Sequence, residues 1–485
     1  MNKFWTILVI GAALVACTED SEQATELIEA QAVESAAPAQ PNVVFILVDD
    51  MGFGDVGYNG SEIATPNLDQ MALDGMKLDR NYVYPVCSPT RAALLSGQNP
   101  LHMGITGPID DYASLPEDLK IMPEYFKDLG YRTHMVGKWH LGLSEVDSWP
   151  QSKGFDSFYG MLGGWIDFYT HVFARRHDWQ RDGVSVYEEG HATDLMTDEA
   201  IRIIEDGGPE PFLLYLAYNA PHSPLQHPPE YSDLNDYPEI SDRSVYAEMM
   251  TQMDAGIGRV LSALEEQGID QNTLVIFSGD NGGALNLGAS NGELRAGKRS
   301  AFEGGVRVPG LVSWPGQIAS GSVFEQPIAV HDWLPTLLDA VGGDAEVVED
   351  AYGQNMWSAM SQGVELDRNI FIVGATNNLA VFNWPYKLAY VKGDDAEEFV
   401  PALFHIVDDP YEQNDLSAEM PDMASRLLAQ IEAMPEPEIS RLEPAFNNSP
   451  RYYPPNVPTW DLRHEADLEP WAEAVTNGTL PPYHE

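Results

Sequence analysis

The chain has 485 residues, with 26 Lys and Arg against 75 Asp and Glu, a formal charge of −49, and 44% hydrophobic residues. That surplus of acid excludes nucleic acid and anionic membrane surfaces as partners, while the apolar content suits a folded protein with room for one large domain and a smaller one. At marine-like ionic strength the Debye length shrinks to roughly 3–5 Å, so local cations outweigh the global charge when an anion binds.

Residues 1–17 read as an export signal: Lys3, an apolar run from Phe4 to Ala16, then Leu14-Val15-Ala16-Cys17, which resembles a bacterial lipobox. The run is too short to span a bilayer. Cys17 is expected to be the acylated first residue of an exported lipoprotein, a lipid anchor being the only link to a membrane. Thr18 in place of Asp after it points to the outer membrane, with the protein facing the periplasm or the cell surface. A disulfide between the two cysteines, Cys17 and Cys87, is therefore not expected. Residues 18–40, rich in Glu, Ala, Gln and Ser, read as a flexible tether.

Folded sequence begins at Asn42-Val-Val-Phe-Ile-Leu-Val48, a continuous apolar run expected of a strand buried on both faces. Similar strands recur at Phe212–Tyr218 and Thr273–Phe277, with helical patterns at Asn67–Asp74, Glu117–Leu129, Thr193–Glu205 and Val245–Gln267. The alternation predicts an α/β fold: a large central mixed, mostly parallel sheet flanked by helices, over residues 41–343. Shorter, closer strands follow at 369–373, 379–384, 386–391 and 403–406, then a helix near Pro421–Met434. They predict a smaller C-terminal antiparallel sheet packed by a helix, within residues 344–485, whose last fifty or so residues form a tail rich in Pro and aromatics. Ligands of such sheets bind beyond the carboxyl ends of the strands. The polar clusters Asp49-Asp50, Asn219 to His222 and Asp280-Asn281 fall there.

Adjacent carboxylates at a strand end repel, so Asp49-Asp50 suggests a cation. Asp280-Asn281-Gly282-Gly283 adds oxygen ligands, although Asn-Gly is also a turn signal. An all-oxygen set favours a hard cation, Ca²⁺ or Mg²⁺, over zinc. In Cys87-Ser-Pro-Thr-Arg91-Ala-Ala-Leu-Leu-Ser-Gly97, Pro89 suits a first helical turn, Ser88 is the expected N-cap and Gly97 the stop. Cys87, at a helix start with Arg91 a turn further on, reads either as a buried inert thiol or as the place for an anionic group. In Gly137-Lys138-Trp139-His140-Leu-Gly142, an extended backbone would put Lys138 and His140 on one face.

Cys-x-Pro-x-Arg followed by Leu-x-Ser-Gly, together with Gly-Lys-Trp-His-Leu-Gly, resembles the formylglycine-dependent type I sulfatases of the alkaline phosphatase superfamily. Thr90 and Ser96 swap the family's usual Ser and Thr and keep both hydroxyls. The resemblance implies a sulfuric ester hydrolase in which a formylglycine-generating or sulfatase-maturating enzyme oxidises Cys87 to formylglycine (3-oxoalanine). The aldehyde hydrates, and one oxygen of the geminal diol attacks sulfur. It also implies one divalent cation, usually Ca²⁺, held by Asp49, Asp50, Asp280 and Asn281 and touching residue 87. Arg91, Lys138 and Lys298 would stabilise sulfuryl charge. His222 would protonate the leaving oxygen, with Lys298 a second candidate, and His140 would deprotonate the remaining hydroxyl to expel sulfate.

Within the family, Gly154-Phe-Asp-Ser-Phe-Tyr-Gly…Asp167-Phe-Tyr-Thr-His171 and Leu294-Arg-Ala-Gly-Lys-Arg-Ser-Ala-Phe-Glu-Gly-Gly resemble the arylsulfatase B (N-acetylgalactosamine-4-sulfatase) branch. That branch implies a sulfated carbohydrate, such as a polysaccharide or its oligosaccharides. Trp165, His171, Arg175, Arg176 and His177 are candidates to line sugar subsites, by stacking or by binding a neighbouring anion; packing and surface roles explain them equally well. Two alternatives remain at this level: a phosphodiesterase or phosphonate monoester hydrolase of the same superfamily, and a non-catalytic binder of sulfated glycans.

Overall fold

The computed structural model describes residues 40–434 apart from 110–113, 144–145, 174–175, 228–234, 236, 238–239, 349–350, 376–377 and 393–398. The leader with Cys17, the tether up to residue 39, Arg175 and the tail from residue 435 lie outside the described residues.

The Asn42–Val48 strand is the centre of the molecule. It pairs in parallel with Phe212–Ala217 on one side and Thr273–Gly279 on the other. Arg132–Lys138 extends the parallel run beyond Phe212–Ala217, and Ser157–Met161 extends it again. Antiparallel pairs follow on both sides of this ten-stranded sheet; one edge ends in an antiparallel pair and the other in Ser322–Phe324, which runs parallel to Met76–Leu78. The expected mixed, mostly parallel sheet is thus present, with one crossover after another delivering strand ends to the same edge.

The continuous apolar run in the first strand follows from burial on both faces. Val43, Phe45 and Leu47 join one core with the helices Cys87–Ser96 and Trp333–Ala340. Val44, Ile46 and Val48 join the other with the helices Ala192–Asp206 and Asp242–Glu266. These last two are amphipathic and pack on the sheet with Met196, Ala200 and Ile203 facing Met249, Met253 and Ile257. The expected Glu117–Leu129 helix begins later, at Met122: Ile121 is extended, Pro123 sits in the first turn, and Glu124 accepts the Ile121 amide at 3.1 Å.

Phe371–Ala375, Asn378–Asn383, Tyr386–Lys392 and Phe399–His405 form the four-stranded antiparallel sheet, covered by the helix Pro421–Glu432. It is tied to the large sheet by charge as well as by apolar contact. Lys387 Nζ lies 2.8 Å from both Glu303 and Glu412, and all three are buried. Tyr84 OH donates to Ile372 O at 3.2 Å. Among the described residues no helix is long and apolar enough to cross a membrane.

Candidate active site

The carboxyl ends of four adjacent parallel strands meet at one place. Asp49-Asp50 follows the first strand, Asn219–His222 follows Phe212–Ala217, Asp280-Asn281 follows Thr273–Gly279, and Lys138 ends Arg132–Lys138. The Cys87–Ser96 helix aims its first turn at the same spot.

That helix starts two residues earlier than expected. Val86 is the N-cap and makes no side-chain cap, so Ser88 is not the cap. Its hydroxyl has a tertiary task instead, donating to His140 O at 2.9 Å and accepting the Ile109 amide at 2.8 Å. Thr90 Oγ1 accepts the Tyr84 amide at 3.0 Å, which explains why a hydroxyl is needed there. Gly97 ends the helix in the left-handed region, φ 68°, as expected.

Cys87 Sγ is buried and 3.2 Å from His140 Nδ1. Arg91 is fully buried. It donates to Lys138 O at 2.9 Å and Asp280 Oδ2 at 2.8 Å, and lies 3.9 Å from Asp49 Oδ2. Lys138 donates to Asp49 Oδ2. Lys298 lies 2.5 Å from Asp50 Oδ1, which also accepts from Asn281 Nδ2 at 2.8 Å. His222 Nδ1 faces Ser223 O at 2.7 Å, so Nδ1 carries the proton and Nε2 points to Asp50 Oδ2 at 3.6 Å. The ten residues singled out as catalytic or metal-binding therefore come together. Lys138 and His140 do not converge by strand alternation, however: His140 has φ 55° and Asp50 φ 64°, both left-handed, a strained conformation that surrounding structure must hold.

Charge explains the cluster. Three carboxylates, Asp49, Asp50 and Asp280, face three cations, Arg91, Lys138 and Lys298. Burial raises the Asp49 pKa, but Lys138 foremost, with His222, Arg91 and Lys298, overrides it and holds the carboxyl well below its usual range. Burial and then the Asp49 charge push Asp280 up, against Arg91. Burial opposes the Lys298 ammonium, yet Asp50 and Asp49 hold its pKa above the usual value. Burial pushes the Cys87 thiol up. Burial drives His140 far down, reinforced by Lys138 and Arg91, and lowers His222 against the pull of Asp50.

The donor set fits a divalent cation. Asp49 Oδ1 and Asn281 Oδ1 are buried acceptors with no hydrogen-bond partner, a costly state unless something binds them. Asp49, Asp50 and His222 also offer atoms that all lie within 4.8 Å of one another.

The sugar-subsite candidates separate. Trp165 is 39% exposed, edge-on to Phe173 at 5.3 Å, and follows Gly164, which abuts the His140 ring. His171 does not face a subsite. It is 1% exposed, stacks on Trp179 at 4.7 Å and bonds Gly190 O at 3.2 Å, so the structure places it in the core. His177 is likewise buried and stacked on Tyr187. Arg176 lies in a two-stranded ribbon, Val172–Phe173 with Arg176–His177. Gln226 ties the Trp165 loop to the His222 loop, accepting the Phe168 amide at 2.9 Å and donating to Asp167 Oδ2 at 2.8 Å. No pattern in the sequence marked Gly164 or Gln226, and the local pattern marked Ser88 only as a cap, because each acts through a long-range contact.

The strand ends of a parallel sheet thus gather a carboxylate cluster, two lysines, an arginine and a helix-mounted cysteine, a set of groups suited to an anion. The family model described as Sulfatase matches residues 41–343, and the chain belongs to that family: it is a sulfuric ester hydrolase. It is 32% identical to "Arylsulfatase J" of Mus musculus over 93% of this chain and 84% of that one. It is 34% identical to "N-acetylgalactosamine-6-sulfatase" of Mus musculus over 77% of this chain and 76% of that one. Among solved structures it superposes on Ps i-CgsB in complex with k-i-k-neocarrahexaose with TM-score 0.77 and 30% identity, covering 84% of this chain and 98% of that one.

Proposed function

We propose that this sulfatase removes sulfate from a sulfated carbohydrate, with the cluster around Cys87 as its catalytic centre. The supporting observation is the balance of three carboxylates by three buried or half-buried cations beside Cys87. A divalent cation held by Asp49, Asp50, Asp280 and Asn281, for which Ca²⁺ is the fitting hard ion, would add two positive charges and Lewis acidity beside the anionic sulfuryl group. Formylglycine, formed from Cys87 by a maturation enzyme, supplies an oxygen nucleophile in place of the thiol.

The chain's own residues do the rest. Arg91 is locked by Lys138 O and Asp280, so it provides fixed charge without reorganising. Lys138 and Lys298, each held by a carboxylate, add ammonium groups for sulfuryl oxygens. His222, with Nδ1 engaged by Ser223 O, has a proton to give from Nε2 to the leaving oxygen only as the imidazolium, the form that Asp50 and Asp49 favour against burial; Lys298 Nζ, an ammonium beside Asp50, is the second donor within the same cluster. Burial keeps His140 neutral, so its Nδ1, beside residue 87, is free to accept a proton. Trp165 offers an aromatic face to a sugar ring at the rim. Carbohydrate as substrate is suggested by the Trp165 rim and by the relatives named for amino-sugar sulfate and carrageenan-type oligosaccharide. Export and anchoring through Cys17 complete the proposal and place the enzyme where polymer fragments arrive.

The test is sulfate release by matured protein from N-acetylgalactosamine sulfates, chondroitin oligosaccharides, carrageenan, ulvan and fucoidan fragments, with a phosphodiester control. Release from a sulfated saccharide that disappears in Cys87→Ala supports the proposal. Turnover of the phosphodiester alone overturns it.

A further inference from the structure

Asp178 takes no part in the chemistry above, yet its carboxylate is 1% exposed. Among the described residues it makes no ion pair. It accepts instead from two neutral backbone amides, Leu162 N at 3.0 Å and Gly163 N at 2.7 Å. A buried carboxylate without a cation is costly, and burial raises its pKa to about 6. A hydrophobic residue would fill the same space at less cost, so the two amides are the reason to look for a task.

The segment those amides belong to bears directly on His140. Leu162 O accepts the His140 amide at 3.0 Å, and Met161 O accepts the Trp139 amide at 2.9 Å. Gly164, next along, presses on the imidazole: a Cβ there would sit 2.6 Å from Cε1 and 2.7 Å from Nε2. Gly164 therefore covers the ring while Cys87 Sγ meets Nδ1 at 3.2 Å on another side. His140 is left-handed, φ 55°, so its backbone alone does not hold the ring in place.

We propose that Asp178 is a positioning residue of this site: by pinning the Leu162 and Gly163 amides it seats Gly164 against the His140 imidazole and fixes that ring relative to residue 87. The inference rests on the catalytic reading of His140. On a small aryl sulfate, which lacks the sugar that Trp165 would meet, its consequence is expected in turnover, because the hydrogen bonds of Asp178 go to Leu162 and Gly163 and not to Arg91, Lys138 or Lys298.

The experiment compares Asp178→Asn, Gly164→Ala and the double variant on a small aryl sulfate, with formylglycine content measured by mass spectrometry of the residue 87 peptide and rates expressed per matured, folded site. Asp178→Asn keeps the shape and loses one acceptor; Gly164→Ala keeps the carboxylate and displaces the ring. Each is expected to lower kcat by about tenfold or more, the scale of an ångström-sized misplacement, with KM within about twofold. The double variant should lose little beyond the worse single, since both act through one ring. Unchanged kcat per folded site, a loss seen only in KM, or multiplicative losses would overturn the proposal. Failure of both single variants to fold would assign Asp178 to structure alone and overturn it as well. His140→Ala run alongside separates the two readings: if it retains kcat, the role of His140 fails; if it loses kcat while Asp178→Asn does not, only the clamp fails.

Discussion

Replacing Lys138 with Met removes one cation and keeps most of the side-chain volume. The Lys138 ammonium is hydrogen-bonded to Asp49 Oδ2 and both groups are fully buried. Without it, Arg91, at 3.9 Å, is the remaining ion-pair partner of Asp49 among the described residues, with His222 and Lys298 acting on the carboxylate through space. Breaking a buried pair from one side costs about 3–5 kcal/mol, so stability in chelator should fall by that amount. The same substitution removes the charge that competes with a divalent cation for Asp49, so calcium should bind the variant more tightly. Each tenfold tightening narrows the stability gap under saturating calcium by about 1.4 kcal/mol. Urea unfolding of parent and variant in chelator and in excess calcium, with Kd from calorimetry, measures both effects. An equal gap in the two conditions with unchanged Kd would refute the idea that Lys138 and the cation share Asp49.

Lys387→Met leaves Glu303 and Glu412 buried without their ammonium; it should cost about 3–5 kcal/mol in urea unfolding, and a loss under 1 kcal/mol would mean the C-terminal sheet is held by apolar contact alone. His171, held near a pKa of about 3 by burial against 6.5 when unfolded, is neutral in the fold, so its contribution is complete above about pH 6.5 and is lost as pH falls toward 3. His171→Gln should therefore flatten the acid limb of the stability curve by up to about 1.4 kcal/mol per pH unit; an unchanged slope between pH 3 and 6 would show that His171 takes up no proton on unfolding. Cys17→Ser should abolish incorporation of labelled fatty acid and release the protein from membranes of the native host, whereas continued labelling would remove the lipobox reading.

Much of the active site could be read from the sequence because its residues sit at ends of local elements. A run such as Asn42–Val48 has to be a two-sided buried strand, and the carboxylates behind it have to lie at its carboxyl end. The antiparallel strands from Phe371 onward follow from short apolar runs broken by turns in the same way. The family motifs assign Cys87, Arg91, Lys138, His140, His222 and Lys298 to one point from local sequence alone. Tertiary structure decided what local pattern does not encode. Ser88 left the cap for His140 O, since that carbonyl is 52 residues away in sequence and adjacent in space. His171 went into the core because Trp179 offers it a face and Gly190 an acceptor. Lys387 met Glu303 across 84 residues, and Gly164 came to rest on His140 because two neighbouring strand ends deliver both loops to the same edge of the sheet. Periodicity and capping act over a few residues and leave their mark in the chain; contacts closed by the sheet's strand order depend on elements that only folding brings together.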